Sequence, residues 1–420
     1  MSRRNAFVSI CSLLLLLAGG FAQELPIQSS NHNSPLPPAV GRSKHVVVVM
    51  EENRSISEAQ QYMPYLYSLA QQYAQGMQVY SDSHGSWLAY GELTSGMAPF
   101  GGEGDGGVCN GDGCTQTINI DNLVRHFAGQ GVSWRAYFES MPQIGYLGYQ
   151  YGNYVRRHNP FAFYSDVVYQ LSEQLNMKPA DPYMLQDIEN NDLANFTWIS
   201  PDLDHDAHNG SDDQQALAAA DAYLQTFLPQ LLASPPFQPG GDGVLLVTFD
   251  EGELSGDNHC GGNPDPNNCG GHIWQVVIGP KVQTTYESNI WYKQGSQLRM
   301  FCDLLGLTSC PGDGESSPSM SEFFQSGAPP CIATQDDTVK ICSPAAGSDG
   351  SPIQIVSAAR DNEHRITGMV AYVNSQIVAT SNAATLNASL PLGAGNYQLV
   401  IRAWDTTGYY FSSTLNFSVP

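Results

Sequence analysis

Three apolar runs in this 420-residue chain end in acidic residues. Val46 to Met50 runs into Glu51, Glu52 and Asn53; Phe196 to Ser200 runs into Asp202, Asp204, His205, Asp206 and His208; Val244 to Phe249 runs into Asp250, Glu251 and Glu253. The runs have the length and composition of buried strands. In an open parallel sheet, ligands bind beyond the carboxyl ends of the strands. Three separate strands thus aim carboxylates at one edge. Any one of these acids could be a solvated loop residue, but concentrated carboxylates repel each other unless a cation sits among them, so their recurrence points to a metal site.

Ser86 is a candidate nucleophile from its local structure. It precedes Trp87 to Ser95, a stretch that can form a short helix closed by Gly96, which would put Ser86 at the N-cap. Capping alone is the ordinary role of such a serine. The same position points a hydroxyl toward the positive end of a helix dipole, where phosphate oxygens bind. A coordinated cation would lower the hydroxyl pKa and make the alkoxide available near neutrality. His84, His205, His208, His259 and His272 lie in or near these loops. His272 stands between Gly270-Gly271 and the strand beginning at Trp274, where backbone can approach a ligand closely. A rival reading takes Asp202, Asp204, Asp206 and Asp213 as a calcium loop, although Ala207 stands where the sharp turn wants Gly. Asp105 and Asp112, in the Gly-rich stretch from Gly101 to Gly113, could also contact a cation, though a disulfide-tied mobile loop is the simpler expectation.

The elements that must hold these residues alternate strand and helix from Lys44 onward, the pattern of a mostly parallel sheet covered by helices. Predicted strands are Val46 to Met50, Trp134 to Phe138, Phe196 to Ser200, Val244 to Phe249 and Trp274 to Ile278. Predicted helices are Tyr62 to Gln75, Ile120 to Gly129, Asp212 to Ala233 and Ser296 to Leu305. Residues 44–310 form this α/β domain, 311–350 a linker, and 351–420 a second domain. In that last part Ile353 to Val356, Gly368 to Val373, Gln376 to Ala379, Ala384 to Leu390, Tyr397 to Trp404 and Phe411 to Val419 alternate as short strands without a helix, as in an immunoglobulin-like β-sandwich. It holds no catalytic cluster.

Residues 1–22 read as an export signal: Arg3 and Arg4, an apolar run from Ile10 to Leu17, and small residues leading to Ala22. The run is too short to span a bilayer, and no later stretch reaches about 18 apolar residues, so no integral membrane segment is expected. Residues 23–43, with Pro26, Pro35, Pro37 and Pro38, read as a disordered tether. Of 9 cysteines, Cys11 leaves with the leader, and the rest fall in close pairs: Cys109 with Cys114, Cys260 with Cys269, Cys302 with Cys310, Cys331 with Cys342. Export to a secreted or periplasmic location favours local disulfides over zinc. With 17 basic and 40 acidic residues, the net charge of −23 excludes nucleic acid as a partner.

Five segments together resemble a known family. They are HVVVVMEENRS from His45 to Ser55, SHGSWLAYGELTSG from Ser83 to Gly96, PDLDHDAH from Pro201 to His208, TFDEGE from Thr248 to Glu253, and GGHIWQVVIGP from Gly270 to Pro280. In order and spacing they are similar to the bacterial and fungal phosphoesterases, acid phosphatases and phospholipase C enzymes, of the alkaline-phosphatase-like superfamily. The resemblance implies a sheet with one divalent metal ion, calcium, magnesium or zinc, held by Glu52, Asn53, Asp250, Glu251 and the Ser86 hydroxyl. It implies Ser86 as nucleophile through a phosphoserine, with His208 and His272 binding phosphoryl oxygens or protonating the leaving alkoxide, and Asp206 orienting or tuning a histidine. His84 is a candidate for substrate binding. Many relatives carry Pro and Asn where this chain has Leu88 and Ala89, which removes a phosphate donor.

The expected substrate is a phosphate ester, either a small molecule or a phospholipid head group. The leading expectation is a secreted acid-phosphatase-like monoesterase. A phospholipase C-like diesterase is the near alternative, and a secreted binding or adhesion protein with an inactive α/β domain is the distant one. Sulfate-ester chemistry lacks its formylglycine signature here. The sequence assigns no ligand to the C-terminal domain.

Overall fold

The computed structural model describes residues 43–97, 116–252, 270–324 and most of 331–420. The leader, the tether up to residue 42, the stretch from Gly101 to Gly113, Glu253, His259, Cys109, Cys114, Cys260 and Cys269 lie outside the described residues.

In chain order the α/β domain runs β1 (His45–Glu51), α1 (Ile56–Tyr62), α2 (Pro64–Gln72), β2 (Ala74–Tyr80), α3 (Ser86–Ser95), α4 (Leu123–Gln130) and β3 (Trp134–Phe138). It continues with β4 (Met177–Pro179), α5 (Ala180–Glu189), β5 (Phe196–Ser200), α6 (Asp213–Ala233), β6 (Gly243–Phe249), β7 (His272–Ile278), β8 (Tyr286–Ser288) and α7 (Gln294–Leu305). The strands lie in the order β8-β2-β7-β6-β1-β5-β3-β4. All the strand pairs are parallel except those of β7, which is antiparallel to both β6 and β2. Val46 to Met50 and Val244 to Phe249 are buried throughout, as expected of central strands covered on both faces.

Register aligns the functional ends. Glu51 lies opposite Phe249 across β1 and β6, and Phe138 opposite Ser200 across β3 and β5. The residues that follow, Glu52, Asp250, Glu139 and Asp202, therefore emerge at one edge. Because β7 runs the other way, its first residue, His272, starts at that edge, paired with Tyr80 at the end of β2.

The helix expected over Tyr62 to Gln75 is two helices and the start of a strand. Pro64 has no N–H with which to continue α1, and it opens α2 at the first helical position, where no such bond is needed. Ala74 to Tyr80 then forms β2, whose Gly76 and two glutamines hide the usual strand signal. No helix among the described residues is long and apolar enough to cross a membrane.

The α/β core continues past Cys310, since Phe323 and Phe324 are buried and Phe324 bridges to Val282. The C-terminal part is all-β: β9 (Thr338–Ser343), β10 (Ile353–Arg360), β11 (Ile366–Val373), β12 (Gln376–Ser381), β13 (Thr385–Leu390), β14 (Gly395–Asp405) and β15 (Tyr410–Val419). One sheet runs β9-β10-β13; the other runs Gly347–Ser348, β15, β14, β11, β12. Alternate residues such as Ile353, Ile355, Leu386, Leu399, Ile401 and Ala403 are buried, the period of strands with one face inward. β9 lies in the stretch read as linker and pairs with β10. Of the four expected disulfides, Cys302–Cys310 and Cys331–Cys342 are formed.

Candidate active site

Ser86 and Glu52, remote in sequence, meet at the carboxyl edge. The Ser86 hydroxyl donates to Glu52 Oε2 at 2.7 Å. Ser86 is the first residue of α3, and its N-cap is Gly85 at φ 108°, a correction to the expectation that Ser86 itself caps. Gly85 fits because only glycine takes that φ without strain, and the sharp entry leaves Ser86 at the helix start. The first helical bond is donated by the Leu88 N–H to Gly85 O, so the Ser86 and Trp87 amides precede the ladder, as helix N-terminal donors do. Gly96, at φ 64°, closes the helix as expected.

Glu52 is fully buried. Asp250 Oδ1 accepts from the backbone N–H of Asn53 at 2.8 Å and of Glu251 at 2.6 Å. Asn53 adopts φ 35°, a left-handed conformation that asparagine tolerates better than most residues. Burial first, then the negative charge of Asp206, pushes Glu52 up to about 8. Asp250 is raised well above the usual carboxylate range by burial and by Glu52 and Glu251.

Three oxygens in this cluster, Glu52 Oε1, Asn53 Oδ1 and Asp250 Oδ2, are buried without a hydrogen-bond partner. Buried polar atoms are ordinarily paired, and exceptions call for an explanation. Buried oxygen donors short of both hydrogen-bond partners and positive charge fit a divalent cation. Glu52, Asn53, Asp250 and Ser86 thus suit a metal. Glu251 is set differently: its carboxylate pairs with His84 Nδ1, which ties together an expected ligand and an expected substrate contact.

The PDLDHDAH segment does not form a calcium loop. Asp202 accepts from Ser140, Asp204 from Asn153, and Asp206 from the backbone N–H groups of His208 and Asn209, so the carboxylates diverge. The buried Asp206 therefore shapes the loop through its backbone. The Asp206 carbonyl also accepts the Glu52 N–H at 2.7 Å, joining that loop to the metal cluster. His208 is exposed beyond it. The His272 ring contacts Met77 O at 2.9 Å and stacks on Tyr80 with centroids 4.6 Å apart. A Cβ at Gly270 would meet Ser83 O at 2.1 Å, so the close approach expected at Gly270 is to the loop that leads into Ser86.

Two residues escaped sequence reasoning. His158, in the short turn Arg156–His158, lies with Nε2 3.3 Å from Glu52 Oε1 and stacks on Tyr90. Burial pulls its pKa well below the usual histidine range, so the ring is neutral and can serve as a donor to a cation. Only the two-residue strand Tyr154–Val155 precedes it, too short to show a period, so no local signal marks it. Arg54 is buried and reaches Asn53 O, His208 O and Asp213, which braces the β1 loop against the His208 loop.

Comparison with known proteins places the sequence in a family. The model of the Phosphoesterase family matches residues 58–308. A probable acid phosphatase of Kluyveromyces lactis is 30% identical over 202 residues, 46% of this chain and 45% of its own length. A phosphatidylinositol-3-phosphatase of Mycobacterium tuberculosis is 28% identical over 219 residues, 51% of this chain and 65% of its own length. The chain thus spans less than two thirds of either relative. A solved protein in the alkaline phosphatase superfamily from Vibrio parahaemolyticus aligns at TM-score 0.46 and 12% identity, over 89% of this chain and 82% of that one. With the family model covering more than half of its residues, the chain belongs to the Phosphoesterase family.

Proposed function

We propose that this protein is a secreted, metal-dependent phosphomonoesterase in which Ser86 carries the phosphoryl group. The observation that carries the reading is the Ser86 hydroxyl at a helix start, 2.7 Å from Glu52, beside three unpartnered buried oxygens. A divalent cation held by Glu52, Asn53, Asp250 and Ser86 would lower the hydroxyl pKa and offset charge on the phosphoryl oxygens.

The chain's own groups account for the remaining chemistry. Glu52 orients Ser86 and takes its hydroxyl proton, to be returned when the serine is freed, and Oγ bonds to phosphorus as the bond to the leaving oxygen breaks. The Ser86 and Trp87 amides favour the equatorial oxygens, the kind of preorganised stabilisation that dominates phosphoryl transfer. His208, exposed on the loop shaped by Asp206, protonates the departing alkoxide. Water then bonds to phosphorus, the Ser86 ester breaks, and inorganic phosphate and the free hydroxyl result. Glu251 and His84 hold each other as the wall next to Asp250, and the His272 ring, stacked on Tyr80, borders the β2 side.

Monoesters are favoured over diesters because both relatives above are phosphatases by name. The disulfides favour an oxidising compartment. The test is a panel of aryl phosphate, lipid phosphate and phosphodiester substrates, assayed before and after chelation and after return of calcium, magnesium or zinc. Monoester hydrolysis lost on chelation and restored by one of these ions is the expected result. Turnover unaffected by chelation removes the cation from the reading, and no hydrolysis of any ester favours a binding role.

A further inference from the structure

The PDLDHDAH loop, having failed as a calcium loop, gathers different donors. Glu139 follows β3 and Asp202 follows β5, adjacent strands tied at this point by the Glu139 N–H donating to Ser200 O at 3.1 Å. The Asp202 N–H donates to Glu139 Oε2 at 3.0 Å, and a turn closed by the His205 N–H to Asp202 O at 3.0 Å brings the imidazole back. His205 Nδ1 then lies 2.9 Å from Glu139 Oε1 and 3.6 Å from Asp202 Oδ1. One ligand atom from each of the three residues falls within 4.8 Å of the others. The imidazole is held flat against Tyr223 of α6, with centroids 5.1 Å apart and planes 9° from parallel.

An independent observation points to a cation. Glu51 is fully buried, and neither of its carboxylate oxygens has a hydrogen-bond partner. Strand alternation turns it to the face of β1 opposite Glu52. The charges bearing on it are all acidic, with Asp206 and Glu139 foremost. The negative charges of Glu139, Glu51 and Asp202 also bear on Tyr223, the ring that backs His205. A buried carboxyl without a hydrogen-bond partner thus shares its surroundings with Glu139, where negative charge is already concentrated.

We propose that Glu139, Asp202 and His205 form a second divalent-cation site, with Glu51 behind it. Mixed carboxylate and imidazole donors suit zinc or another borderline transition ion better than calcium or magnesium. Three protein ligands leave room for water or an anionic ligand. The site borders a cavity of about 750 Å³ lined by Glu139, Ser140, Tyr151, Asn153, Asp181 and Tyr223 among others. An ion here would clamp the ends of β3 and β5 and steady the loop that carries Asp206 and His208.

The experiment is a zinc titration of the metal-stripped full chain by calorimetry, with cobalt spectra on the same samples. Wild type should take two equivalents. Glu139→Gln and His205→Asn should each weaken one of them at least about 100-fold, with loss of its cobalt bands, while Glu52→Gln loses only the other. If His205→Asn does not fold, Glu139→Gln and cobalt-induced broadening of the His205 ring signal in wild type decide the matter. A single wild-type equivalent lost in Glu52→Gln, or two equivalents unchanged by Glu139→Gln, overturns the proposal. A single equivalent lost in Glu139→Gln and kept in Glu52→Gln supports this site while removing the ion from the Ser86 cluster.

Discussion

On the Glu52 side of β1 the acids meet a hydroxyl and the start of a helix; on the Glu51 side they meet an imidazole and a phenol. The two residues are adjacent in the chain, and the strand's period of two separates them. The Glu52 cluster can present an activated oxygen to an electrophile, because Ser86 is both its hydrogen-bond partner and the first residue of α3. The Glu51 cluster has no nucleophile among its donors and joins two loops instead. Similar acids at the same sheet edge thus acquire different roles from what the opposite element supplies.

Substitutions can break this contrast, beginning with the most severe. Ser86→Ala should lower kcat for an aryl phosphate by about 10⁴-fold or more, as removal of a nucleophile does, with folding unchanged by circular dichroism. Glu52→Gln or Asp250→Asn should lower turnover by roughly 100- to 1,000-fold and remove bound metal by elemental analysis. Either variant retaining both full metal and full rate would dissolve the Glu52 cluster as a site. His158→Ala should fall about 10- to 100-fold in metal affinity or rate. An unchanged rate and affinity would reduce His158 to a packing residue against Tyr90.

A smaller effect concerns stability on the helix that begins at Ser86. Burial, then Asp82 and Asp313, pushes the Glu92 carboxyl up to about 8 from the ordinary 4.5. The folded chain therefore holds a proton that the unfolded chain releases. That contribution is complete below pH 4.5 and is lost as pH rises through about 8. Glu92→Gln should flatten the decline in Tm across this window, measured by thermal melts at low ionic strength. Parallel wild-type and variant curves would exclude Glu92 as the proton holder.

Much of this was legible in the chain because the period of buried strands is strong. The runs ending at Met50, Ser200 and Phe249 locate the sheet edge and offer the acids that follow them, while Glu52, Asn53 and Asp250 as a set with Ser86 come from the family resemblance. His158 was not legible, since its turn carries no periodic signal and only tertiary packing brings it to Glu52. The partnering of Glu251 with His84 and the ring contacts of His272 depend on side-chain direction, which spacing does not fix. β2 was hidden by its polar residues, although its pairing between β7 and β8 buries it.

Ser86 is the proposed phosphate acceptor at the Glu52 cluster. The most direct measurement is mass spectrometry of peptides from the metal-replete enzyme, acid-quenched during turnover of an aryl phosphate. It should find phosphate on Ser86, absent without substrate and absent in Ser86→Ala. Steady hydrolysis with phosphate on another residue or on none, together with a Ser86→Ala variant as fast as wild type, would contradict it.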